Sequence, residues 1–148
     1  MIHYLDTSAL MKRYVTETGS SEVRGLFRRK KAVAAARIAY AELIAATTRL
    51  HRQADLTAIA RDRILDRIDM DFESMSVVEL RPVIILRTRD LLLRHPLRGY
   101  DAVHLAAALE LKNRGASVSF WCADGLLIDA ATKEGLHSVH FGAQSRSR

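Results

Sequence analysis

Four acidic residues lie at positions where a carboxylate costs free energy unless it serves a structural or chemical role. Asp6 and Asp124 each follow directly on a predicted strand, and Asp101 opens a predicted helix. Glu42 lies within the mostly apolar stretch AYAEL. A charge in apolar surroundings costs free energy unless it is paired or bound to a metal. These four carboxylates are therefore the candidates for chemistry.

If the four carboxylates converge, their repulsion raises their pKa values unless a cation lies among them. Mg²⁺ or Mn²⁺ suits such a site, because hard divalent cations prefer oxygen ligands. Such an ion activates water and stabilises charge on a phosphoryl oxygen, and two ions about 3.5–4 Å apart clamp both the attacking and the leaving oxygen of a phosphodiester. The hydroxyl of Ser8, or that of Thr7, would then orient a carboxylate or a bound water.

A purely structural role is the alternative for each acid taken alone. Asp6, Asp101 and Asp124 can cap helices through hydrogen bonds from backbone N–H groups. Glu42 can face water. Capping does not explain an acid inside a mostly apolar helix, however, so the four together favour a site.

The elements that must position these acids alternate along the chain. Apolar runs predict strands over residues 2–5, 32–36, 77–80, 117–123 and 137–141. Helical periodicity and breakers predict helices over residues 8–15, 20–31, 38–53, 56–74, 82–94, 100–115 and 124–135. Strands alternating with helices indicate an α/β fold with a parallel sheet. In such sheets, ligands bind at the carboxyl ends of the strands.

Two of the predicted helices carry more specific expectations. Ser20 or Ser21 is expected to cap the second helix, which ends in the basic run RRKK. The helix over residues 56–74 mixes Arg and Asp along its length, and this pattern predicts a solvent-exposed face with salt bridges.

Composition limits the class of protein. The 148 residues indicate a single domain over residues 1–142, followed by a polar, flexible tail over residues 143–148. The net charge of +6 is compatible with a polyanionic partner. The single cysteine, Cys122, excludes an internal disulfide and a Cys-rich zinc site. The sequence has neither a signal-peptide pattern nor an apolar run of about 20 residues, so a soluble cytoplasmic protein is expected.

Four blocks of the sequence resemble the PIN-domain ribonucleases, and more narrowly the VapC-type toxins of prokaryotic toxin–antitoxin pairs. LDTSALMKRYVTETGS carries Asp6, AYAEL carries Glu42, LRGYDAVHLAAAL carries Asp101, and FWCADGLLIDAATKEGL carries Asp124. Four blocks in this order, spread over nearly the whole chain, make the resemblance specific.

The resemblance implies a PIN fold, in which a central parallel sheet is flanked by helices and the acids meet at one edge. It implies a metal-dependent endoribonuclease that uses Mg²⁺ or Mn²⁺ and cuts structured RNA such as tRNA or rRNA. It also implies neutralisation by a cognate VapB-type antitoxin, a homodimer, and the cytoplasm of a prokaryote.

The last block departs from the family pattern. Family members often have Thr or Ser two residues before the fourth acid, where this chain has Cys122. A thiol is a weak hydrogen-bond donor and a poor ligand for Mg²⁺. The last block also contains a further acid, Asp129, but on a helix it lies off the face of Asp124 and is expected to be solvated.

A site made of carboxylates repels RNA, so cations outside it must hold the substrate. The basic run Arg28, Arg29, Lys30 and Lys31 is one candidate group. Arg94 and Arg98, together with Arg87 and Arg89, form the other. The alternative for both groups is an ordinary solvated face.

Two further residues have competing interpretations. His104, one turn after Asp101, is either a base or a packed core histidine. Trp121 either stacks an RNA base or is buried in its strand.

Other functions compete with the nuclease. A PIN-like module that binds RNA or a partner without turnover is the main alternative, and Cys122 is the residue that favours it. A phosphatase or receiver-like domain with Asp6 as phosphoryl acceptor would need a second acid nearby. A dinucleotide-binding enzyme would need a Gly-rich turn after the first strand.

Overall fold

The computed structural model describes residues 1–141. A parallel five-stranded sheet lies at the centre of the fold. The strands are β1 (Ile2–Leu5), β2 (Val33–Ala36), β3 (Ser76–Val78), β4 (Val118–Cys122) and β5 (His137–His140). The helices are α1 (Thr7–Tyr14), α2 (Ser20–Arg28), α3 (Ile38–Arg52), α4 (Ala58–Ser74), α5 (Pro82–Arg94), α6 (Gly99–Asn113) and α7 (Gly125–Lys133). The predicted α/β fold with a parallel sheet is confirmed.

The strand order is β3-β2-β1-β4-β5, so β1 is the central strand. It pairs with β4 over its whole length, in a register that sets Leu5 opposite Trp121. The amide of Asp6 donates to the carbonyl of Trp121 (3.2 Å), one residue beyond that pairing. The carboxyl ends of β1 and β4 are therefore neighbours, and the residues that follow these two strands lie side by side.

Alternate residues of β1 face two separate cores, as the two-residue period of a strand requires. Tyr4 faces a core built largely from α5, α6 and α7, and its ring stacks on that of Phe120 (5.5 Å between centroids). Leu5 faces the core beneath α1 to α4. The core-facing side of α6 is rich in alanine, including the buried run Ala106–Ala108.

The prediction of a wholly solvent-exposed charged face on α4 is wrong at Asp71, which is buried. Both carboxylate oxygens accept hydrogen bonds from Arg13 of α1 (2.6 and 2.9 Å), and Tyr14 donates a further one (2.7 Å). The guanidinium of Arg13 also lies over the ring of Phe27 (3.7 Å). This buried ion pair joins α4 to α1, the helix that follows Asp6.

Two other local predictions need correction or fall outside the structure. The cap of α2 is Gly19, at φ 92°, and no side chain caps this helix. The Ser20 hydroxyl instead accepts from the Glu17 amide (2.9 Å) and donates to the Val15 carbonyl (3.2 Å). The tail predicted over residues 143–148 lies outside the described residues. No helix in residues 1–141 is both long and apolar enough to cross a membrane.

Replacing Asp71 with Ala should destabilise the protein by about 3 kcal/mol, because it strands the charge of Arg13 in a largely buried place. Asp66→Ala changes an exposed acid of the same helix and should alter stability by no more than about 0.5 kcal/mol. Urea unfolding followed by circular dichroism measures both variants. Equal losses of stability in the two would contradict the structural role of Asp71.

Candidate active site

Asp6 is buried at the point where β1 becomes α1. Its Oδ1 accepts hydrogen bonds from the Ala9 amide (2.9 Å) and from the Ser8 hydroxyl (2.7 Å). Its Oδ2 accepts one from the Cys122 thiol (3.2 Å). Asp6 is thus a helix cap, as one interpretation of the sequence had it, and its second oxygen points away from the capped amide.

Cys122 and Ser8 connect Asp6 to the start of α7. The Cys122 sulfur accepts from the Asp124 amide (3.2 Å), and the Ser8 oxygen accepts from the Ala123 amide (3.0 Å). Asp124 caps α7 by accepting from the Leu126 amide (2.9 Å). The thiol therefore occupies a hydroxyl's position without losing contact with the first acid. Burial, and secondarily the charge of Asp6, raises the pKa of Cys122, which keeps its proton available for donation.

Glu42 projects from α3 towards Thr7 and His104. Its Oε1 accepts from the Thr7 hydroxyl (2.8 Å) and lies 2.8 Å from Nε2 of His104. Burial acts to raise the pKa of Glu42, but the hydrogen bond with His104, with help from Thr7 and Arg98, outweighs it and lowers the pKa overall. Thr7 and Ser8 were alternatives for orienting a carboxylate, and the structure shows that each contacts a different one.

Asp101 lies in the first turn of α6, within 3.5 Å of Arg98. Burial raises the pKa of Asp101, Arg98 opposes that effect, and the negative charges of Asp124 and Asp6 reinforce it. Asp124 and Asp6 therefore lie near enough to Asp101 for their charges to act on its carboxyl group.

The donor chemistry fits a hard divalent cation, because all four predicted ligands offer carboxylate oxygens. Their spacing does not form a ready-made cage. Within residues 1–141, no three side chains of His, Cys, Asp or Glu lie close enough together to hold a metal ion as they stand. Asp6, Asp101 and Asp124 share the edge, and Glu42 approaches from α3.

Of the cations predicted to bind RNA, Arg98 is the one that the described structure places at the carboxylates. Arg94 donates to Glu134 (2.7 Å). Glu134 follows the C-terminal end of α7, whereas Asp124 lies at the N-terminal end of that helix. Arg28, Arg29, Lys30 and Lys31 are exposed. They precede β2, so they lie at the amino edge of the sheet, while Asp6 lies at the carboxyl edge.

Asp129 and Trp121, the other two residues singled out in the last block, differ in their exposure to solvent. Asp129 is exposed on α7, as expected. Trp121 is partly buried, and its ring packs against Phe141 (5.6 Å between centroids).

A groove of about 670 Å³ opens beside Glu42. Tyr100, which is 63% exposed, is among the residues that line it, and the others are Thr7, Ile38, Ala41, Ala45, Ala46 and Arg49. Most of this lining is apolar.

Sequence reasoning missed the polar contacts of His104 and Tyr4. His104 is a packed core residue, 2% exposed, and its Nδ1 lies 3.1 Å from the hydroxyl of Tyr4. Burial raises the pKa of Tyr4 well above its usual value. The signal available in the sequence was the spacing of three residues between Asp101 and His104, which places both on one side of α6.

Comparison with known proteins identifies the family. The model of the PIN domain matches residues 3–117. Ribonuclease VapC45 of Mycobacterium tuberculosis is 37% identical to this chain over 122 residues, covering 80% of this chain and 82% of the relative. The chain belongs to the PIN-domain family and, within it, to the VapC ribonucleases.

Solved structures agree with the PIN fold. VapBC2 from Rickettsia felis, solved bound to a promoter DNA fragment, has a TM-score of 0.64 at 12% identity and covers 95% of this chain and 98% of its own. VapC20 of Mycobacterium tuberculosis, described as a sarcin–ricin-loop-cleaving toxin, has a TM-score of 0.62 at 16% identity and covers 90% and 95%. The resemblance inferred from the four blocks of this PIN-domain chain is confirmed.

The raised pKa of Asp101 predicts a gain in stability when its charge is removed. The folded protein keeps the Asp101 proton to a higher pH than the unfolded chain does, so ionisation of this group favours unfolding. Asp101→Asn should therefore raise the melting temperature of the metal-free protein near neutral pH. The gain should vanish below about pH 3, where the carboxyl is protonated in both states.

Thermal unfolding in the presence of a chelator measures this effect at both pH values. Asp129→Asn removes an exposed charge from α7 and serves as the control, with no expected change at either pH. A fall in melting temperature for Asp101→Asn near neutral pH would contradict the electrostatic strain described here.

Proposed function

We propose that this VapC ribonuclease is the toxin of a type II toxin–antitoxin pair and hydrolyses RNA phosphodiester bonds with Mg²⁺ or Mn²⁺ held by Asp6, Glu42, Asp101 and Asp124. The observation that carries the proposal is the placement of Asp6, Asp101 and Asp124 at the carboxyl edge of the sheet, where burial raises the pKa of Asp101 and the charges of Asp124 and Asp6 add to that effect. Membership of the VapC ribonucleases supplies the reaction class.

A divalent cation bound here would supply an activated water and stabilise charge on the phosphoryl oxygens. The protein's own residues prepare the ligands. Ser8 and Cys122 hold one oxygen each of Asp6, and Thr7 holds Glu42. Because these donors fix the carboxylates before substrate arrives, less ordering is needed at the moment of reaction.

Arg98 is proposed as the phosphate contact next to the site. Its side chain is 83% exposed, so it can reach an RNA backbone while its guanidinium stays within reach of Asp101. Arg94 is committed to Glu134. The run Arg28–Lys31 could touch only an RNA that extends to the other edge of the sheet, across four-residue strands that are about 13 Å long.

The groove beside Glu42 is proposed as the place where a VapB-type antitoxin binds. Its mostly apolar lining suits the apolar side of a partner segment, and Glu42 and Arg49 offer charges at the same surface. An antitoxin seated there would cover Thr7 and Glu42 and so block the site. VapBC2 from Rickettsia felis and VapBC-1 from nontypeable Haemophilus influenzae, whose names describe such pairs, share this fold.

We also propose that the protein is a homodimer in the cytoplasm of a prokaryote. The exposed aliphatic side chains of α5, including Leu86 and Leu93, offer apolar surface for a second copy. The lone cysteine is compatible with a reducing compartment.

One observation favours a second candidate, an RNA- or partner-binding module without turnover. The acids of the described chain do not form a complete metal cage as they stand. Such a module would bind RNA and show no cleavage with either Mg²⁺ or Mn²⁺.

The Asp6→Asn variant should lose cleavage of total cellular RNA by more than about 100-fold, since changes outside the ligand shell alone cost about 10–100-fold. The fold should persist, because Asn caps helices as well as Asp does. Asp129→Asn is the matched control and should cut normally. Chelator should abolish the activity and added Mg²⁺ or Mn²⁺ should restore it; cleavage by a folded Asp6→Asn variant would refute the assignment.

Arg98→Gln, made in the non-cleaving Asp6→Asn protein, should weaken RNA binding and reduce the slope of log affinity against log salt by about 1. Arg94→Gln should have a smaller effect, because Arg94 is already paired with Glu134. Filter binding over a salt series measures both. If the two variants behaved alike, Arg98 would have no special place in RNA binding.

A further inference from the structure

A chain of buried hydrogen bonds runs from Glu42 to Tyr4 through His104, and neither Tyr4 nor His104 has a role in the function proposed so far. Tyr4 is fully buried at the end of β1, and His104 is 2% exposed on α6. The Tyr4 hydroxyl lies 3.1 Å from Nδ1 of His104, and Nε2 of the same ring lies 2.8 Å from Oε1 of Glu42.

The chemistry of these groups gives the chain a direction. A neutral imidazole has one N–H and one nitrogen that accepts. The hydroxyl hydrogen of Tyr4 needs an acceptor in its buried position, and Nδ1 provides it. Nε2 then carries the ring proton and donates it to the carboxylate of Glu42. The opposite tautomer would set the lone pair of Nε2 against a carboxylate oxygen of Glu42 at 2.8 Å, an unfavourable contact between two acceptors.

Both donors that reach Glu42 go to the same oxygen. Thr7 donates to Oε1 at 2.8 Å, and His104 Nε2 contacts Oε1 at 2.8 Å. In residues 1–141, the hydrogen bonds of this carboxylate all end on Oε1, which leaves Oε2 free for a ligand. One oxygen is therefore held by two protein groups, and the other accepts no hydrogen bond from the described residues.

Asp6 has an equivalent set of supports, but they come from different elements. Ser8 and Cys122 hold its two oxygens, and both belong to segments adjacent to the end of β1. Glu42 comes from α3, has a longer side chain, and keeps 29% of its side-chain surface exposed. Without a fixed partner, its carboxylate would sample several rotamers and lose entropy on binding a metal.

We propose that His104, backed by Tyr4, is a positioning residue that fixes Oε1 of Glu42 and thereby presents Oε2 to a divalent cation. This inference rests on the proposed function, because it assumes that Glu42 is a metal ligand. Partners outside the ligand shell that orient metal-binding carboxylates contribute to metal affinity even though they never touch the ion.

The test measures Mn²⁺ affinity of the metal-free protein by calorimetry, in the absence of RNA. His104→Leu removes the donor and should weaken Mn²⁺ binding by about 10–100-fold. His104→Gln keeps an N–H near the place of Nε2 and should recover most of the affinity. The double variant Tyr4→Phe with His104→Leu removes the stranded hydroxyl and provides a folded protein if the single leucine variant unfolds.

The chain offers a matched control in His95. This buried residue also pairs its Nε2 with a glutamate oxygen, Oε1 of Glu134, at 2.8 Å. His95→Leu therefore deletes an equivalent buried pair outside the site. It should lower stability while leaving Mn²⁺ affinity unchanged, which separates a positioning role from a general effect on folding.

Nitrogen NMR of the histidine rings gives a readout that needs neither metal nor activity. In the metal-free wild type, His104 should carry its proton on Nε2, and Glu42→Gln should shift that signal. A proton on Nδ1, or a folded His104→Leu variant with wild-type Mn²⁺ affinity, would overturn the positioning role while the nuclease still cuts. A wild type that neither binds Mn²⁺ nor cuts RNA would overturn the proposed function as well, which is a distinguishable result.

Discussion

Repulsion among carboxylates at one edge of a parallel sheet is the constraint around which the rest of this protein is arranged. Asp6 and Asp124 are brought together because β1 and β4 are adjacent and parallel, and Asp101 joins them from the start of α6. Each gains from its position, since the N-terminal turn of a helix favours negative charge. That gain does not remove the cost of the charge at Asp101, whose pKa is raised first by burial and then by the charges of Asp124 and Asp6.

The surrounding structure gives each of these acids its own partners, which fix the carboxylate in its place. Asp6 depends on Ser8 and Cys122, Glu42 on Thr7 and His104, and Asp101 on Arg98. Such an arrangement should lower the stability of the metal-free fold, because residues placed for function often destabilise a protein. In return, the site is ordered before a metal binds.

The parts predicted from the sequence are those set by local pattern. Short apolar runs followed by an acid placed Asp6 and Asp124 at strand ends, and the alternation of elements gave the parallel sheet. The four blocks identified the family, as the match to the PIN-domain model and to VapC45 confirms. The assignment of the four acids as metal ligands stays a prediction, as does the division into one domain and a tail.

The parts that could not be predicted depend on which distant segments meet. Asp71 looked like one of many exposed acids on α4, and only its contact with Arg13, 58 positions away, explains its burial. The support of Glu42 by His104 spans 62 positions, and that of Asp6 by Cys122 spans 116. The basic run at residues 28–31 looked suited to RNA near the site, but the direction of β2 places it at the other edge.

The proposed function depends on a divalent cation shared by these carboxylates. Crystals grown with Mn²⁺ and measured at its absorption edge would locate the ion directly through its anomalous signal. We expect one or two peaks between Asp6, Asp101 and Asp124, with Oε2 of Glu42 turned towards them. A peak elsewhere on the protein, or none at this edge in crystals soaked to saturation, would contradict a metal site shared by these carboxylates.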